Sequence, residues 1–168
     1  RSLPIFASES DYIQAEVYRN SNFIHKRNTK ILYYDCTNYY FEITQEDGDK
    51  KYGKGKEHRP NPIIGMGLFM DADGFPLAFD LYPGNQNEQK TLNPLEQKVI
   101  RDFGCSEFIY CYDSGLGSQN NKLLNDTNGR AYIITQSLKK LKKEVRSTAL
   151  DPNQYRKLGS NRFINLNS

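Results

Sequence analysis

The sequence is poor in cysteine and has neither a long apolar run nor an apolar leader, and each of these absences excludes a class of protein. Its three cysteines, an odd number without C-x-x-C spacing, exclude a disulfide framework and a structural zinc site. No stretch approaches the roughly 18 apolar residues of a membrane span, and the N-terminus lacks the basic-then-apolar order of a signal peptide. We therefore expect a cytoplasmic protein with reduced cysteines and no membrane partner.

Aromatic residues, by contrast, are plentiful. The 12 Tyr and 9 Phe supply a large area for burial, so a chain that is only 37% hydrophobic is still expected to fold. A length of 168 residues suits a single domain over 1–168. Within it we expect a helical lead-in over 1–30 and, after a central core, a basic tail over 136–168 whose structure the sequence does not assign.

The spacing of apolar residues predicts a mixed α/β architecture. The predicted elements are a helix at 11–27, strands at 31–44, 63–71 and 75–82, a helix at 88–103, a strand at 107–113, a helix at 118–125 and a strand at 131–135. Asp73-Gly74 lies between the second and third strands and is typical of a hairpin turn. Antiparallel strands followed by right-handed crossovers give a mixed sheet with helices on its faces.

Two aspartates stand where strands are predicted. Asp35 lies in the middle of the first strand and Asp113 ends the fourth, although Asp is depleted in strands and a buried carboxylate needs a partner. In the predicted topology these strands are neighbours, so Asp35, midway along one, and Asp113, at the carboxyl end of the other, face one crevice. Their hard oxygens favour Mg²⁺ or Mn²⁺ and a phosphodiester substrate. The alternatives are a structural ion pair for Asp35 and a turn residue for Asp113.

Basic residues cluster in the loop at 45–61 and again at 139–146, although the formal net charge is only +3. Each cluster is either a solvated surface or a surface that binds phosphates. The candidates for DNA contact are Lys54, Lys56, His58, Arg59 and Asn85. The alternative roles are strand capping for His58 and Arg59 and helix capping by Asn85 or Asn87.

Four segments of the chain resemble DDE-type insertion-sequence transposases, and they occur in the order found in that family. They span residues 31–135, most of the chain. The segments are the strand Tyr34-Asp35-Cys36-Thr37-Asn38-Tyr39-Tyr40-Phe41-Glu42; His58-Arg59-Pro60 with Ile64-Gly65-Met66-Gly67-Leu68; Pro83-Gly84-Asn85 with Glu88 and Thr91-Leu92; and Asp113-Ser114-Gly115-Leu116 with Ser118 and Asn120-Asn121.

The resemblance implies a ribonuclease-H-like core, with three antiparallel strands followed by parallel ones, that binds two divalent ions (Mg²⁺ or Mn²⁺) through two Asp and a distant Glu. By position, Asp35 would bridge both ions and Asp113 would bind one of them. The implied reactions are cleavage of double-stranded DNA at the ends of the element and joining of the freed 3′ ends to target DNA. The family also implies a homodimer for the full-length protein.

The family's third carboxylate has no counterpart up to Ser168, since the neighbours of Glu144 do not match its motif. We therefore expect a fragment of a longer transposase that is inactive alone. One alternative is a catalytically inactive remnant that binds DNA or protein. Another is a nucleotide-binding domain that uses Gly115-Leu116-Gly117, although the third glycine of that motif is absent.

Overall fold

The computed structural model describes residues 2–116, 131–155 and 159, and these belong to two compact units, 1–135 and 136–168. The single domain predicted over 1–168 stays a prediction. The elements of the first unit are α1 (Leu3–Ser8), α2 (Ser10–Ile24), β1 (Ile31–Tyr40), β2 (Ile63–Met70), β3 (Pro76–Pro83), α3 (Leu92–Phe103), β4 (Ile109–Tyr112) and β5 (Tyr132–Ile134). The second unit contains α4 (Lys143–Leu150).

Five strands form one mixed sheet in the described part of the chain, in the order β3-β2-β1-β4-β5. The pairs β1–β2 and β2–β3 are antiparallel, whereas β1–β4 and β4–β5 are parallel. This is the predicted ribonuclease-H-like arrangement, with β1 central and beside β4. The predicted fold class is therefore confirmed.

The core lies between one face of this sheet and α3. Leu32, Tyr34 and Cys36 alternate along β1 with more exposed residues, as expected for a strand with one covered face. Leu92, Leu95, Val99 and Phe103 recur at helical spacing along α3 and are buried. Both sets belong to one cluster of buried residues, so α3 fixes which face of the sheet is turned inward.

The predicted helix at 88–103 is interrupted near its start. Glu88–Lys90 form a 3₁₀ turn, in which the Asn87 side chain accepts a hydrogen bond from the Gln89 backbone N–H at 3.0 Å. The α-helix proper begins at Leu92 and ends before Gly104, whose φ of 67° is the left-handed conformation in which glycine commonly ends a helix. Asn87, rather than Asn85, is therefore the capping residue of the turn.

Two glycines in β2 allow close packing of tyrosine side chains. A Cβ atom at Gly65 would lie 2.0 Å from the Tyr82 ring, and one at Gly67 would lie 2.3 Å from the Tyr34 hydroxyl. These two positions of β2 are thus points of tight packing. The sheet's irregularity falls elsewhere, between Phe69 and Met70 of the same strand.

Some elements differ from those predicted. α1 lies within the predicted helical lead-in but was not predicted as a separate helix, and β1 ends at Tyr40 rather than at residue 44. In the tail, whose structure the sequence did not assign, non-helical backbone at Leu141 and Lys142 separates a short 3₁₀ turn from α4. The predicted helix at 118–125 lies outside the described residues. Among the helices that the structure describes, none combines the length and apolar character that crossing a bilayer demands.

Candidate functional site

The strand register places the two candidate aspartates next to each other. The parallel pairing of β1 with β4 reaches Tyr34 opposite Tyr112, and Asp35 and Asp113 are the next residues on the two strands. Neighbouring strands lie about 4.8 Å apart. Tyr34 and Tyr112 are buried while both aspartates are exposed, so the two carboxylates share the face that is turned away from the core.

Thr135 extends this row onto a third strand. The pairing of β4 with β5 reaches Tyr112 opposite Ile134, so Thr135 follows β5 as Asp113 follows β4. The Thr135 hydroxyl donates a hydrogen bond to Asp113 Oδ1 at 2.5 Å. Sequence reasoning missed Thr135, although its position at the end of the last predicted strand was a usable signal. Three oxygen-bearing side chains thus lie in a row across three parallel strands, with Asp113 and Thr135 directly after the carboxyl ends of β4 and β5 and Asp35 midway along β1.

Asp35 is solvated, with a side chain that is 64% exposed. Because the Asp35 carboxylate is not buried, it pays no desolvation penalty that a bound cation would have to offset. Its Oδ1 accepts a hydrogen bond from the Cys36 backbone N–H at 2.8 Å. The Lys56 ammonium nitrogen lies 3.4 Å from Oδ1 and 3.5 Å from Oδ2, which gives Asp35 a cationic neighbour of its own.

The basic loop is held against the carboxyl-terminal half of β1. The backbone N–H of Lys56 donates to Asn38 Oδ1 at 3.1 Å, and that of Glu57 donates to the Tyr40 hydroxyl at 2.7 Å. A Cβ at Gly55 would lie 2.2 Å from the same hydroxyl, so only glycine allows this approach. These contacts fix where the Lys56 side chain leaves the backbone.

A cleft of about 570 Å³ lies between the basic loop and the turn at 83–85. The two walls meet where a Cβ at Gly53 would lie 1.8 Å from the Gly84 carbonyl oxygen. Most of its lining residues carry polar side chains, and one of them, Glu88, is a carboxylate. The lining residues are Asn38, Tyr52, Gly53, Lys54, Lys56, Tyr82, Gly84, Asn85, Gln86, Asn87, Glu88, Gln89 and Gly115.

The cleft brings together three of the five residues predicted to contact DNA, namely Lys54, Lys56 and Asn85. The other two are outside its lining. The Arg59 guanidinium pairs with Glu57 at 2.7 Å and stacks over the Tyr40 ring at 5.3 Å. His58 has a positive φ of 54°, a local turn conformation. Roles for His58 and Arg59 in DNA contact stay predictions.

The donor atoms at the strand ends fit a hard divalent cation in kind. Two carboxylates and one hydroxyl are oxygen ligands of the type that Mg²⁺ and Mn²⁺ prefer. The set is incomplete, because no group of three or more His, Cys, Asp or Glu is placed to hold a metal among residues 2–116, 131–155 and 159. Among the described residues, Asp35 and Asp113 are therefore neighbours without a third carboxylate placed beside them.

A buried polar network supports Asp35 from the other face of β1. The hydroxyls of Tyr34 and Thr91 are 2.6 Å apart, and the Cys36 thiol donates to Tyr34 at 3.4 Å. Burial, more than the neighbouring Cys36, raises the pKa of Tyr34 well above its ordinary value. The Tyr34 phenol therefore stays neutral at ordinary pH, and the network fixes the two residues that flank Asp35.

Comparison with known proteins finds likeness only in structure. No family model matches the sequence, and no curated protein matches it. The Mos1 transposase paired-end complex with left transposon end aligns with a TM-score of 0.46 at 14% identity, over 88% of this chain and 45% of that one. The catalytic domain of Mos1 mariner transposase gives 0.43 at 14% identity, over 88% and 65%. At such low TM-scores the fold assignment rests on the strand order of this chain itself.

Proposed function

We propose that this chain is the metal- and DNA-binding part of a DDE-type transposase core, acting on phosphodiester bonds of double-stranded DNA. The observation that carries the proposal is the parallel register of β1 and β4, which places Asp35 beside Asp113 on an exposed face. The four sequence segments that resemble this family support it. The cleft beside these residues supplies a polar surface with two lysines for phosphate groups.

Each side chain has a distinct role in this proposal. Asp35 and Asp113 hold the cations, and Thr135 orients the Asp113 carboxylate through its hydrogen bond. Lys54 and Lys56 bind phosphates by charge, and the Asn85 amide donates to phosphate oxygens. Divalent ions bound here would activate water or a 3′-hydroxyl for attack on phosphorus and neutralise the leaving oxygen.

Cleavage needs the third carboxylate that the resemblance implies, and the described residues do not place one beside the other two. We therefore propose that this chain binds metal and DNA but does not cut DNA alone. Strand cleavage, strand transfer and a homodimer are proposed for the full-length, cytoplasmic protein.

The metal site is tested by Mn²⁺ titration, followed as paramagnetic broadening of backbone amide signals. We expect broadening centred on residues 35, 113 and 135. Asp35→Asn and Asp113→Asn should each abolish it while the circular dichroism spectrum is kept, because each removes one of two carboxylates. Asp80→Asn is the matched control, since Asp80 is an exposed carboxylate on β3. Unchanged broadening in either site mutant would remove that residue from the site.

DNA binding is tested by fluorescence anisotropy of a labelled duplex at several salt concentrations. Affinity should fall steeply with salt, because bound lysines release counterions from phosphates. With Mn²⁺ present, Lys54→Met and Lys56→Met should each reduce the slope of log affinity against log salt by about 1. Lys30→Met, an exposed lysine at the opposite end of β1, should leave the slope unchanged. A flat salt response of the unmodified protein would argue against nucleic acid as its partner.

A second candidate is a catalytically inactive remnant that binds DNA or protein. The ion pair between Lys56 and Asp35 favours it, because a lysine already balances the charge of that carboxylate. Salt-dependent DNA binding without any Mn²⁺ broadening would support this function. The nucleotide-binding alternative depends on Gly117, which lies outside the described residues. Tight binding of ATP or NAD without metal, measured by calorimetry, would favour that alternative.

A further inference from the structure

Lys56 belongs to both parts of the proposed site. Its ammonium group faces the Asp35 carboxylate, and its side chain also lines the cleft. We infer that Lys56 is an exchangeable counter-ion, which neutralises Asp35 when no metal is bound and turns to a DNA phosphate in the cleft when a divalent ion takes its place. This inference rests on the proposed function and adds a coupling between metal binding and DNA binding.

The geometry of the ion pair suits an exchangeable charge. The Lys56 nitrogen is almost equally far from the two Asp35 oxygens, at 3.4 Å and 3.5 Å. The ammonium group therefore interacts with the carboxylate as a whole and forms no directional hydrogen bond to one oxygen. Both distances exceed those of close charge-assisted hydrogen bonds. The side chains are 54% and 64% exposed, and water screens such pairs strongly. A divalent ion with direct oxygen ligation can therefore displace the ammonium group.

The backbone around Lys56 stays in place during this exchange. The Asn38 side chain holds the Lys56 N–H, and the Tyr40 hydroxyl holds the next N–H along the chain. Only the flexible four-carbon stem has to move. Because the anchored residue already lines the cleft, a change of side-chain rotamer suffices to carry the charge from Asp35 to a phosphate bound there.

The exchange has two measurable consequences. A positive charge beside Asp35 opposes a second cation, so removing it strengthens metal binding. A lysine released by metal is available to phosphate, so metal and DNA each raise the affinity for the other, as thermodynamic linkage requires. A lysine with a purely structural role would produce neither effect.

The first experiment measures Mn²⁺ affinity of the 168-residue chain from the relaxation rate of water protons. Lys56→Met should bind Mn²⁺ about fivefold more tightly than the unmodified chain, because a repelling charge is gone, and Lys56→Arg should bind much as the unmodified chain does. The matched control is Lys51→Met, since Lys51 forms another lysine–carboxylate pair in the same loop, 3.3 Å from Glu46. Its Mn²⁺ affinity should stay within about twofold of that of the unmodified chain.

The outcomes separate this inference from the proposed function. Equal or weaker Mn²⁺ binding by Lys56→Met would overturn the inference, while loss of binding in Asp35→Asn and Asp113→Asn would leave the metal site standing. Unchanged binding in those two aspartate variants would remove the metal site and the inference together. Absence of Mn²⁺ binding in every variant would do the same.

The second experiment measures the affinity for a labelled DNA duplex with and without Mn²⁺. In the unmodified chain Mn²⁺ should strengthen DNA binding, since it releases Lys56 toward phosphate. In Lys56→Met the gain should be at least about threefold smaller, and Lys56→Arg should restore it. An equal gain in the unmodified chain and in Lys56→Met would contradict the exchange.

Discussion

Two aspartates of this chain show how the surroundings decide what a carboxylate does. Asp35 is exposed beside a flexible lysine, whereas the Asp71 side chain is fully buried. Asp71 Oδ2 accepts a hydrogen bond from Arg27 Nε at 2.5 Å. Its Oδ1 accepts hydrogen bonds from the backbone N–H groups of Asp73 and Phe75 at 3.1 and 2.9 Å. Both oxygens of the Asp71 carboxylate are therefore engaged in hydrogen bonds that hold the β2–β3 hairpin. Asp35, held by a weak exposed pair, remains open to a ligand.

Replacing Arg27 by Met should lower the free energy of unfolding by about 3–5 kcal/mol, because it leaves the buried Asp71 charge uncompensated. Arg27 also donates to the carbonyl oxygens of Phe75 and Pro76, at 3.1 and 2.7 Å, and these contacts add to the loss. Urea unfolding measures the change. The control is Arg19→Met, since Arg19 forms an exposed pair with Glu16 that should contribute only about 0–1 kcal/mol.

A loss below about 1 kcal/mol in Arg27→Met would contradict this account, because a buried ion pair that loses one partner costs far more than an exposed one. Such a result would mean that the two backbone N–H groups suffice to hold the Asp71 carboxylate.

At the scale of elements, the sequence predicted the helices and strands whose buried residues recur at regular spacing. α3 and β1 are examples, since their buried residues recur at the spacing of a helix and of a strand. α1 was missed because it buries none of its residues and so leaves no such pattern. The hairpin was predictable from Asp73-Gly74, because the turn needs the left-handed conformation that Gly74 adopts at φ 83°.

The outer edge of β3 is covered by side chains from two helices. Gln14 of α2 accepts a hydrogen bond from the Phe79 backbone N–H at 2.8 Å. Lys98 of α3 donates to the Phe79 carbonyl oxygen at 3.0 Å and pairs with Asp11 of α2 at 2.5 Å. Unpaired edge groups are templates for association with other chains, so these contacts protect the edge at its centre.

Replacing Gln14 by Leu should speed hydrogen exchange of the Phe79 amide and lower the free energy of unfolding by about 1–3 kcal/mol, because a half-buried N–H loses its acceptor. Amide hydrogen exchange followed by NMR measures the first effect, and urea unfolding measures the second. The Leu81 amide on the same strand is the internal control, since it donates to Asp80 Oδ1 at 3.0 Å and is independent of α2. Unchanged exchange at Phe79 would show that Gln14 does not protect the edge.

At the scale of the whole molecule, the candidate site was predictable only where topology determines it. Asp35 and Asp113 lie on strands that the order of elements makes neighbours, so their proximity followed from the sequence. Thr135 was missed because its place depends on the register of β5. The cleft and the approach of Lys56 depend on loop contacts, such as that between Gly53 and Gly84, which no periodicity encodes.

Buried tyrosines also link the stability of the whole fold to pH. Burial raises the pKa of Tyr34, Tyr82 and Tyr110 far above the ordinary value. Burial, with a contribution from the hydrogen bond to Cys105, raises the pKa of Tyr18 to about 12. In the unfolded chain these phenols titrate near about 10. Above that pH the native state therefore holds more protons than the unfolded state does.

Because the unfolded chain binds fewer protons, the free energy of unfolding should fall as pH rises above about 10, and below that pH it should be insensitive to these groups. The urea midpoint, measured from neutral to strongly alkaline pH, checks this. Tyrosinate absorbance from the buried phenols should appear together with the loss of circular dichroism. Tyr18→Phe should make the fall shallower between pH 10 and about 12, since that ring no longer titrates. A urea midpoint that stays constant across this range would contradict the linkage, because protons held only by the native fold must be released when it unfolds.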